Sequence, residues 1–283
     1  MSYQSVMPEL PEVEVVRLQL QSQLTSKNQT VRLSSAIFAR PDLRFVIPQI
    51  KIKQIIGQVL QGFRRHGKYL IFDFGEQKLI SHFGMTGTWR ILAPHHPKQI
   101  HDHVFLSFSV GQFENTIVYQ DPRRFGFLDY EDHSIKSEFL ARLGPDALLV
   151  LEIIPELEKK MKTRLTPIKN LLLDQGFIAG VGNIYASEAL FLAGIHPLKS
   201  AKLIKRKKIE KLMTEIPRLL QTSIRLGGSS IDDFHGLDQK AGSYQNNFWV
   251  YDRENQPCRV CQKKIQFLKM GQRSTYYCSA CQK

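Results

Sequence analysis

The sequence lacks any apolar run approaching the ~20 residues that a membrane-spanning helix needs. Its opening residues, MSYQSVMPELPE, also lack the basic start and apolar middle of a secretory signal. Hydrophobic residues nevertheless make up 42% of the chain, which is enough for folded cores. These features predict a soluble protein of the cytoplasm, with no membrane partner.

Acidic residues are scarce relative to basic ones. The 283 residues include 39 Lys and Arg against 26 Asp and Glu, for a net charge of +13. A polyanionic partner explains this excess, and nucleic acid is the commonest polyanion. A surface that only keeps the protein in solution explains the charge equally well, so charge alone does not decide.

Cysteine is missing from the chain until Cys258, whereas a secreted protein stapled by disulfides would spread its cysteines out. Two residues separate the members of each pair, and sixteen lie between the pairs, which are Cys258–Cys261 and Cys278–Cys281. A redox dithiol needs one pair, but tetrahedral zinc takes four thiolates. The spacing predicts one structural Zn²⁺, since four thiolates leave no open position for water.

The cysteine segment contains no acidic residue from Pro257 to Lys283, and the stretch between its pairs suits a β-hairpin that turns near Gly271. Its six basic residues are Arg259, Lys263, Lys264, Lys269, Arg273 and Lys283. Two interpretations stay open: a structural clip with a solvated basic face, and a finger that lies on DNA phosphates.

The amino-terminal half has the periodicity of one helix followed by strands. Pro11 to Leu24 repeats apolar residues at helical spacing. Lys68–Phe74 and Lys78–Phe83 predict a hairpin, Val104–Val110 alternates with period two, and Thr116–Tyr119 predicts a further strand.

The pattern changes at the polar segment Asp132–Pro145, which predicts a domain boundary. From Ile153 to Leu226 the chain is predicted to be helical, with an apolar stripe over Leu212, Ile216, Leu219, Ser223 and Leu226. The segment Gly227–Asn247 is long and rich in small polar residues, which is typical of a lid, a binding loop or a disordered linker.

Four segments in order carry a resemblance to a known family. Alone, the first predicts only a helix start, because proline and acidic residues favour the first turn. The segments are Met7–Glu14 (MPELPEVE), Asp121–Gly126 (DPRRFG), Leu173–Tyr185 (LDQ…AGVGNIY) and Gly271–Cys278 (GQRSTYYC). Together they resemble the formamidopyrimidine-DNA glycosylase family of bacterial type, and the resemblance runs from Met7 to Lys283.

The resemblance implies an α+β fold, in which an N-terminal β-sandwich with a leading helix precedes a helical helix-two-turn-helix domain with a zinc-finger β-hairpin. DNA would lie in the cleft between the domains, with the target base extruded from the stack. The implied divisions are an extension over 1–7, a catalytic β-sandwich domain over 8–135, a linker over 136–149, a helix-two-turn-helix domain with a lesion-covering loop over 150–247, and a zinc finger over 248–283.

The activity implied is that of a bifunctional glycosylase and abasic-site lyase of base excision repair, which removes oxidised purines from double-stranded DNA. Pro8 would form a Schiff base with the sugar, because a terminal secondary amine is a nucleophile whose adduct is already cationic. Glu9 would act as the proton donor and acceptor, and Glu12 would hold the amino terminus or serve only as a helix-start acid.

Three residues match the family's phosphate-binding positions: Lys68, Asn183 and Arg273. The resemblance implies that Lys68 is a proton donor as well as a phosphate contact, and that Arg273 binds the phosphate that leaves in δ-elimination. The glycines before Asn183 fit either a phosphate contact or a plain turn. A second set, Met85, Arg123 and Phe125, matches the residues that fill the void left by the base. Arg123 would donate to the orphaned cytosine and Phe125 would wedge between bases. Core packing is the alternative for Met85 and Phe125, and Gly227–Asn247 matches the family's lesion-covering loop.

Two further clusters, one of histidines with an aspartate and one of basic residues, are not predicted to bind a metal or to take part in catalysis. His95, His96, His101, Asp102 and His103 cannot all converge on a second metal, because neighbours in a strand point to opposite faces. DNA contact by His101 or His103 is the favoured interpretation. The basic run Lys199–Lys211 is expected to be a solvated face that contributes long-range steering.

The sequence departs from the family pattern at its start, where Met1 to Val6 precede Met7. An internal Pro8 would have an amide nitrogen without a nucleophilic lone pair. We expect translation to start at Met7 and the methionine to be removed.

Three other functions compete with this prediction. One is the sister group that removes oxidised pyrimidines, of the endonuclease VIII type; Leu10 and the long loop favour purines. A second is a non-catalytic damage-binding protein with a blocked Pro8, whereas the predicted enzyme is expected to be a monomer. A third is a zinc-ribbon transcription or translation factor, which leaves the segments around Pro8, Arg123 and Asn183 unexplained.

Overall fold

The protein is described by a computed structural model that covers residues 7–25, 29–92, 98–229, 237 and 241–283. The chain forms two compact units. The first contains the residues up to Ala141 together with Gly227–Gly242, and the second contains Arg142–Leu226 and Ser243–Lys283. In the described residues, no helix is both long and apolar enough to cross a membrane.

The first unit is built mainly from antiparallel strands. Its elements are α1 (Leu10–Leu24), β1 (Val31–Phe38), α2 (Gln49–Lys53), β2 (Gly62–His66), β3 (Tyr69–Phe74), β4 (Gln77–His82), β5 (Thr88–Leu92), β6 (Asp102–Val110), β7 (Phe113–Gln120), β8 (Phe127–Glu131) and α3 (Glu138–Ala141). Two four-stranded sheets result, with strand orders β1-β6-β7-β5 and β2-β3-β4-β8.

The two sheets share one hydrophobic core, as a β-sandwich requires. Phe72 of β3 meets Trp89 of β5 edge to face, with ring centroids 5.2 Å apart. Trp89 in turn lies 5.2 Å from Tyr119 of β7 and donates its indole N–H to Ser81. The predicted hairpin is present as β3 and β4, and the predicted alternating strand is present as β6. The predicted sandwich is therefore confirmed.

Helix α1 covers the sandwich with the predicted apolar stripe. Val13, Val16, Leu20 and Leu24 are all buried in the shared core. The helix packs against β2 and β3, and it ends at Thr25, whose backbone is extended. This packing fixes the first turn of α1, which follows directly on Pro8 and Glu9.

The second unit is helical and carries a small hairpin. Its elements are α4 (Ile154–Lys162), α5 (Ile168–Leu173), α6 (Asn183–Ala193), α7 (Arg206–Arg225), β9 (Gln266–Met270) and β10 (Arg273–Tyr277), with short 3-10 turns at Val150–Ile153, Ala201–Leu203 and Tyr244–Asn247. Helix α6 is buried on nearly all sides, and α5 and α7 pack against it.

The helical region from Ile153 to Leu226 is more divided than the sequence predicted. A loop separates α5 from α6, and Gly194 ends α6 in the left-handed conformation, with φ +66°. Four members of the predicted stripe on α7 are buried, but Leu226 is 36% exposed, because the helix ends before it. Periodicity predicted which residues are helical better than where the helices stop.

Candidate functional site

The chain around Pro8 and Glu9 is held by a reciprocal pair of hydrogen bonds. Glu9 is the N-cap of α1, and its carboxylate accepts the backbone N–H of Glu12. Glu12 in return accepts the backbone N–H of Glu9 at 3.0 Å. Both side chains are 2% exposed. This capping box explains why the sequence starts a helix here, and it immobilises the residue that follows Pro8.

Glu12 also holds the start of the segment that was predicted to cover the lesion. Its Oε1 accepts the backbone N–H of Ser229 at 2.8 Å and the Ser229 hydroxyl at 2.9 Å. A Cβ on the preceding Gly228 would lie 3.2 Å from the same oxygen, and the φ of +83° there favours glycine. One carboxylate therefore links the Pro8–Glu9 backbone to the root of the segment.

A second anchor of that segment lies further along α1. The backbone N–H of Leu237 donates to Gln19 Oε1 at 2.7 Å, and the Leu237 side chain is buried in the sandwich core. Residues 230–236 and 238–240 lie outside the described part of the chain, so the predicted lesion-covering loop is described only at its root, at Leu237 and from residue 241 onward.

Lys68 lies at the turn between β2 and β3 and is 4% exposed. Burial, together with the positive charges of Lys68 and Arg44, lowers the pKa of the neighbouring His82 to about 3. His82 is thus neutral, and its Nδ1 accepts the backbone N–H of Gly84 at 3.1 Å. A role for His82 was not predicted from the sequence, although the β3–β4 hairpin pairs it with Tyr69 beside Lys68.

The predicted void-filling residues lie on two loops that approach closely. A Cβ on Gly84, the residue before Met85, would collide with the backbone of Phe125. Phe125 is 42% exposed, which argues against core packing for this ring. The Arg123 guanidinium lies 4.9 Å from the centroid of that ring, at cation–π distance.

Asp121 is fully buried and is hydrogen-bonded to both of these loops. Its Oδ1 accepts the Thr86 hydroxyl at 2.5 Å and its Oδ2 accepts the backbone N–H of Gly126 at 2.8 Å. Thr86 in turn accepts the backbone N–H of Arg123 at 3.1 Å. In the sequence Asp121 is only the first residue of the DPRRFG segment, whereas the structure gives it a positioning role.

The predicted histidine and aspartate cluster has separate contacts. His103 is buried, its Nε2 lies 2.9 Å from the carbonyl oxygen of Asp121, and burial lowers its pKa. Asp102 accepts a hydrogen bond from Arg90 at 2.6 Å. His95 and His96 lie outside the described residues. DNA contact by His103 stays a prediction, and its ring is placed to support the backbone at Asp121.

In the second unit, Asn183 is the first residue of α6, after Gly182 as N-cap. Gln175 stiffens the preceding loop: its amide donates to the Val181 carbonyl at 2.9 Å and accepts the Gly180 N–H at 2.8 Å. Asn183 Nδ2 lies 3.5 Å from the Tyr251 hydroxyl, and its Oδ1 has no hydrogen-bond partner in the described residues. The side chain is thus held at a helix start with an acceptor still available.

Glu188, one turn further along α6, ties this helix to the chain before the cysteine hairpin. Its carboxylate accepts the backbone N–H groups of Trp249, Val250 and Tyr251 at 2.7–2.9 Å. Burial raises the pKa of Glu188, against the lowering effect of the three N–H groups. Sequence reasoning missed this residue, because nothing in the local pattern of α6 distinguishes it from a surface glutamate.

Arg273 begins β10 and is exposed beside the turn at Gly271, where φ is +59°. Lys169 of α5 is fully buried, and its Nζ donates at 2.8 Å to both the Ser274 carbonyl and the Thr275 hydroxyl. A pocket of about 290 Å³ adjoins the hairpin tip, lined by Asn170, Leu173, Asp174, Met270, Gln272 and Arg273. The hairpin that presents Arg273 is therefore anchored from beneath by a buried lysine.

The four cysteines form a compact cluster, and their Sγ atoms all lie within 4.8 Å of one another. Cys258 and Cys281 are 3.9 Å apart, and Cys261 and Cys278 are 3.4 Å apart. Tetrahedral zinc with Zn–S bonds of ~2.3 Å separates its sulfurs by about 3.8 Å. The donor set fits one structural Zn²⁺, as the spacing predicted.

Comparison with known proteins is consistent with this geometry. The profile of the formamidopyrimidine-DNA glycosylase N-terminal domain matches residues 7–128, that of the H2TH domain of the same enzymes matches 143–235, and that of a zinc finger found in FPG and IleRS matches 255–283.

Relatives that match over their full length carry the same family name as these domain profiles. Formamidopyrimidine-DNA glycosylase of Bdellovibrio bacteriovorus is 42% identical over 277 residues, covering 98% of this chain and 100% of the relative. The protein of that name from Aliivibrio fischeri is 39% identical, covering 98% of each chain.

Solved structures give the same result. A Lactococcus lactis FPG mutant in complex with Fapy-dG containing DNA has a TM-score of 0.84 at 33% identity, covering 97% of this chain and 99% of that chain. A structure of MutM in complex with carbocyclic 8-oxo-G containing DNA has a TM-score of 0.84 at 35% identity, with the same coverage. By these matches over nearly its whole length, the chain belongs to the formamidopyrimidine-DNA glycosylase family.

Proposed function

We propose that this protein is a bifunctional DNA glycosylase and abasic-site lyase that removes oxidised purines from damaged double-stranded DNA. Solved structures of its relatives hold Fapy-dG or 8-oxo-G DNA. The observation that carries the proposal for this chain is the buried Glu9–Glu12 capping box directly after Pro8. It fixes a nucleophile and a carboxyl group side by side at the start of α1.

Pro8 acts as the nucleophile. With a free amino terminus, Pro8 offers a secondary α-amine, and because free α-amines have pKa values of ~8, a fraction of them is unprotonated at neutral pH. The nitrogen lone pair attacks C1′ of the nucleotide, and the bond from C1′ to the base breaks with the electron pair leaving on the base. Opening of the sugar ring then gives an iminium, whose positive charge draws electrons from C2′ and promotes elimination of the flanking phosphates.

Glu9 moves the protons of this sequence. Its carboxyl group is adjacent to Pro8 in the chain and is buried, so it can protonate the sugar oxygen as the ring opens. Glu12 is a positioning residue, since both of its oxygens are engaged with the backbone at Glu9 and with Ser229.

Met85, Arg123 and Phe125 fill the space that the extruded base leaves. Phe125 is exposed and Asp121 holds its loop, so the ring can insert between bases without first leaving a core. The Arg123 guanidinium offers donors to the two acceptors on the pairing edge of cytosine. Lesions opposite cytosine are therefore the favoured substrates.

Lys68, Asn183 and Arg273 contact phosphates. Lys68 supplies a positive charge in the first unit, and Asn183 and Arg273 supply a helix-start amide and an exposed guanidinium in the second. Zn²⁺ on Cys258, Cys261, Cys278 and Cys281 would hold the hairpin that carries Arg273 and would take no part in the chemistry.

The proposal extends to organisation and place of action. We assign residues 8–135 to the catalytic β-sandwich domain, 136–149 to a linker, 150–247 to the helix-two-turn-helix domain with its loop, and 248–283 to the zinc finger. The protein is proposed to act as a monomer on the chromosome in the bacterial cytoplasm. The organisms of its relatives support this placement.

Borohydride trapping on a duplex with 8-oxoguanine opposite cytosine tests the mechanism. We expect a covalent adduct, mapped by mass spectrometry to Pro8, and weaker trapping with a thymine glycol duplex. Tight binding to the lesion without any adduct would reject the enzyme and leave a damage-binding protein.

The same chemistry requires that Pro8 be amino-terminal. We propose that residues 1–7 are absent from the active protein, and the family profile match that begins at residue 7 supports this. Intact mass of protein from its native host should correspond to a chain starting at Pro8. An active protein whose mass includes residues 1–6 would contradict the Schiff-base mechanism.

A further inference from the structure

A strongly basic surface lies on the second unit and contains none of the residues assigned to the site so far. It is formed by the end of α4, the segment from residue 199 to 205, and the first turns of α7. The Lys162 ammonium donates to the Ile204 carbonyl at 2.7 Å, and the Lys202 N–H donates to the Arg164 carbonyl at 3.0 Å. This basic surface comprises Lys159, Lys160, Lys162, Arg164, Lys199, Lys202, Lys205, Arg206, Lys207, Lys208 and Lys211.

The nearby carboxylates leave most of this charge unneutralised. Glu210 lies 2.9 Å from the Arg206 guanidinium and Glu158 lies 3.8 Å from it, so both acids pair with one arginine. In the described ranges, no carboxylate lies within 4.0 Å of the lysine ammonium groups of the basic surface. Most of these lysines are exposed to solvent.

The clustering of these charges is unfavourable for the isolated protein. Burial lowers the pKa of Lys208, and the charges of Lys211 and Lys199 lower it further, which places three ammonium groups within electrostatic range. Helix α7 begins with Lys205 as N-cap followed by three more cations, with no acid in its first turn. Cations at this end oppose the helix dipole. A surface needed only for solubility would not concentrate like charges at this point.

The basic surface lies at the opposite end of α6 from Asn183. Lys208 Nζ donates to the carbonyls of Ala193 and Gly194 at 2.8 and 3.1 Å, at the end of α6, whereas Asn183 begins that helix. Eleven residues of helix span about 16 Å. That distance is about twice the Debye length of ~8 Å at physiological salt. A phosphate bound at Asn183 therefore leaves the charge of the basic surface unsatisfied.

We propose that the basic surface is a second DNA-contacting surface, which binds the phosphate backbone of duplex outside the segment held by Asn183. The inference takes DNA as the polyanion from the proposed function and adds a separate surface to it. Lysines are point charges without the planar fork that reads base edges, so this contact is independent of sequence and of damage. It would raise the time that the protein spends on long DNA and so speed the search for lesions.

The test uses a charge-reversed variant of the full-length zinc-loaded protein. Lys205→Glu with Lys207→Glu removes two cations at the start of α7 and adds two acids, which the helix dipole favours. The melting temperature should therefore be unchanged or higher. Lys51→Glu with Lys53→Glu on α2 is the matched control, because it makes the same change in net charge on the first unit.

Two substrates distinguish this surface from the lesion site. One is a lesion duplex with about five base pairs on each side, which spans about 17 Å per arm at about 3.4 Å per base pair. The other is a duplex of about 300 base pairs with one central lesion, compared at low salt where phosphate contacts are strongest. For the variant with Lys205→Glu and Lys207→Glu, we expect cleavage of the short duplex within about two-fold of the wild type. Its kcat/KM on the long duplex should be about ten-fold lower.

Binding to long undamaged duplex gives the second measurement. The magnitude of the slope of log affinity against log salt should fall by about 2 in the variant with Lys205→Glu and Lys207→Glu, about one unit for each lost lysine contact. It should stay unchanged in the control with Lys51→Glu and Lys53→Glu. An unchanged ratio of kcat/KM on the long duplex to kcat/KM on the short duplex would overturn the proposal. If that ratio is unchanged because activity falls equally on both duplexes, the surface belongs to the lesion footprint. Unchanged duplex affinity with weaker binding to heparin would assign the surface to another polyanion and also overturn it. Failure of the wild type to cleave the short duplex would contradict the proposed function alone, since the binding assay does not depend on cleavage.

Discussion

The two units place their functional groups in opposite environments. In the first, Glu9, which is assigned to proton transfer, and Glu12, which positions it, are hydrogen-bonded and each 2% exposed. In the second, Arg273 and the basic surface are exposed, and buried polar residues support the neighbouring chain, with Lys169 bonded to the hairpin and Glu188 bonded to the backbone at Tyr251. Proton transfer needs a fixed and partly dry carboxyl group, whereas the exposed cations of the second unit can meet phosphates without first leaving a core.

This contrast predicts that a minimal change at Glu9 removes chemistry and leaves binding intact. Glu9→Gln keeps the side-chain oxygen that accepts the Glu12 N–H but cannot donate and recover a proton. Base excision from an 8-oxoguanine duplex should fall about 10²- to 10⁴-fold, with lesion affinity within about three-fold of the wild type. Single-turnover cleavage and equilibrium binding measure the two. On an abasic substrate, which has no base to release, trapping at Pro8 should persist; its loss there would assign Glu9 a structural role instead.

A change in the cysteine cluster is expected to weaken DNA binding, whereas the change at Glu9 leaves binding intact. Cys278→Ser replaces a zinc thiolate by a poor ligand within the small hydrophobic cluster that also contains Phe191, Val250 and Ile265. The hairpin should lose its order and Arg273 its position, so lesion affinity should fall on the order of 100-fold, with zinc content dropping below one per chain. The thermal transition of the first unit should stay unchanged. A zinc-free variant that binds lesions like the wild type would contradict the anchoring role of the metal.

Acid should weaken the first unit through His82. Its pKa of about 3 in the fold lies below the ordinary histidine value of 6.5, so the unfolded chain takes up the proton first. The free energy of unfolding should therefore fall as pH drops below 6.5, by up to about 1.4 kcal/mol per pH unit until pH approaches the folded value. Replacing His82 by Phe removes this titration. Denaturant unfolding from pH 7.5 to 4.5 should show a flatter profile for His82→Phe, and parallel profiles would refute the assignment.

The smallest effect concerns Glu188 in the second unit. In Glu188→Gln, an amide N–H₂ faces at least one of the three backbone N–H groups that the carboxylate accepts. Leaving one buried donor unsatisfied should cost about 1–3 kcal/mol of unfolding free energy. DNA affinity should fall only several-fold, through Tyr251 and its contact with Asn183. Glu156→Gln, at an exposed position of α4, is the control, and an equal loss there would show that the buried contacts of Glu188 carry no special weight.

Local patterns were sufficient for much of this molecule. The zinc cluster, α1 with its apolar stripe, the β3–β4 hairpin and the alternating strand β6 were all predicted, because each depends on spacing within a few residues or one turn. The pairing of Pro8 with Glu9 is likewise a property of adjacent residues. The helical region after Ile153 was predicted as a whole but not in its divisions, because helix ends depend on caps and packing that periodicity does not contain.

The tertiary structure alone decided which polar residues support the site. Glu12 meets Ser229 across 217 positions, Lys169 meets Thr275 across 106, and Glu188 meets Val250 across 62. Each is a charged residue whose local sequence predicts a solvated surface position. It becomes a buried support only because folding brings a distant backbone within hydrogen-bond reach. The sequence by itself determined where the zinc ligands are, since their spacing is local, and the resemblance of four segments to the family pointed to Pro8 as the nucleophile. Only the fold determined which residues support these groups, because the supporting hydrogen bonds join positions far apart in the chain.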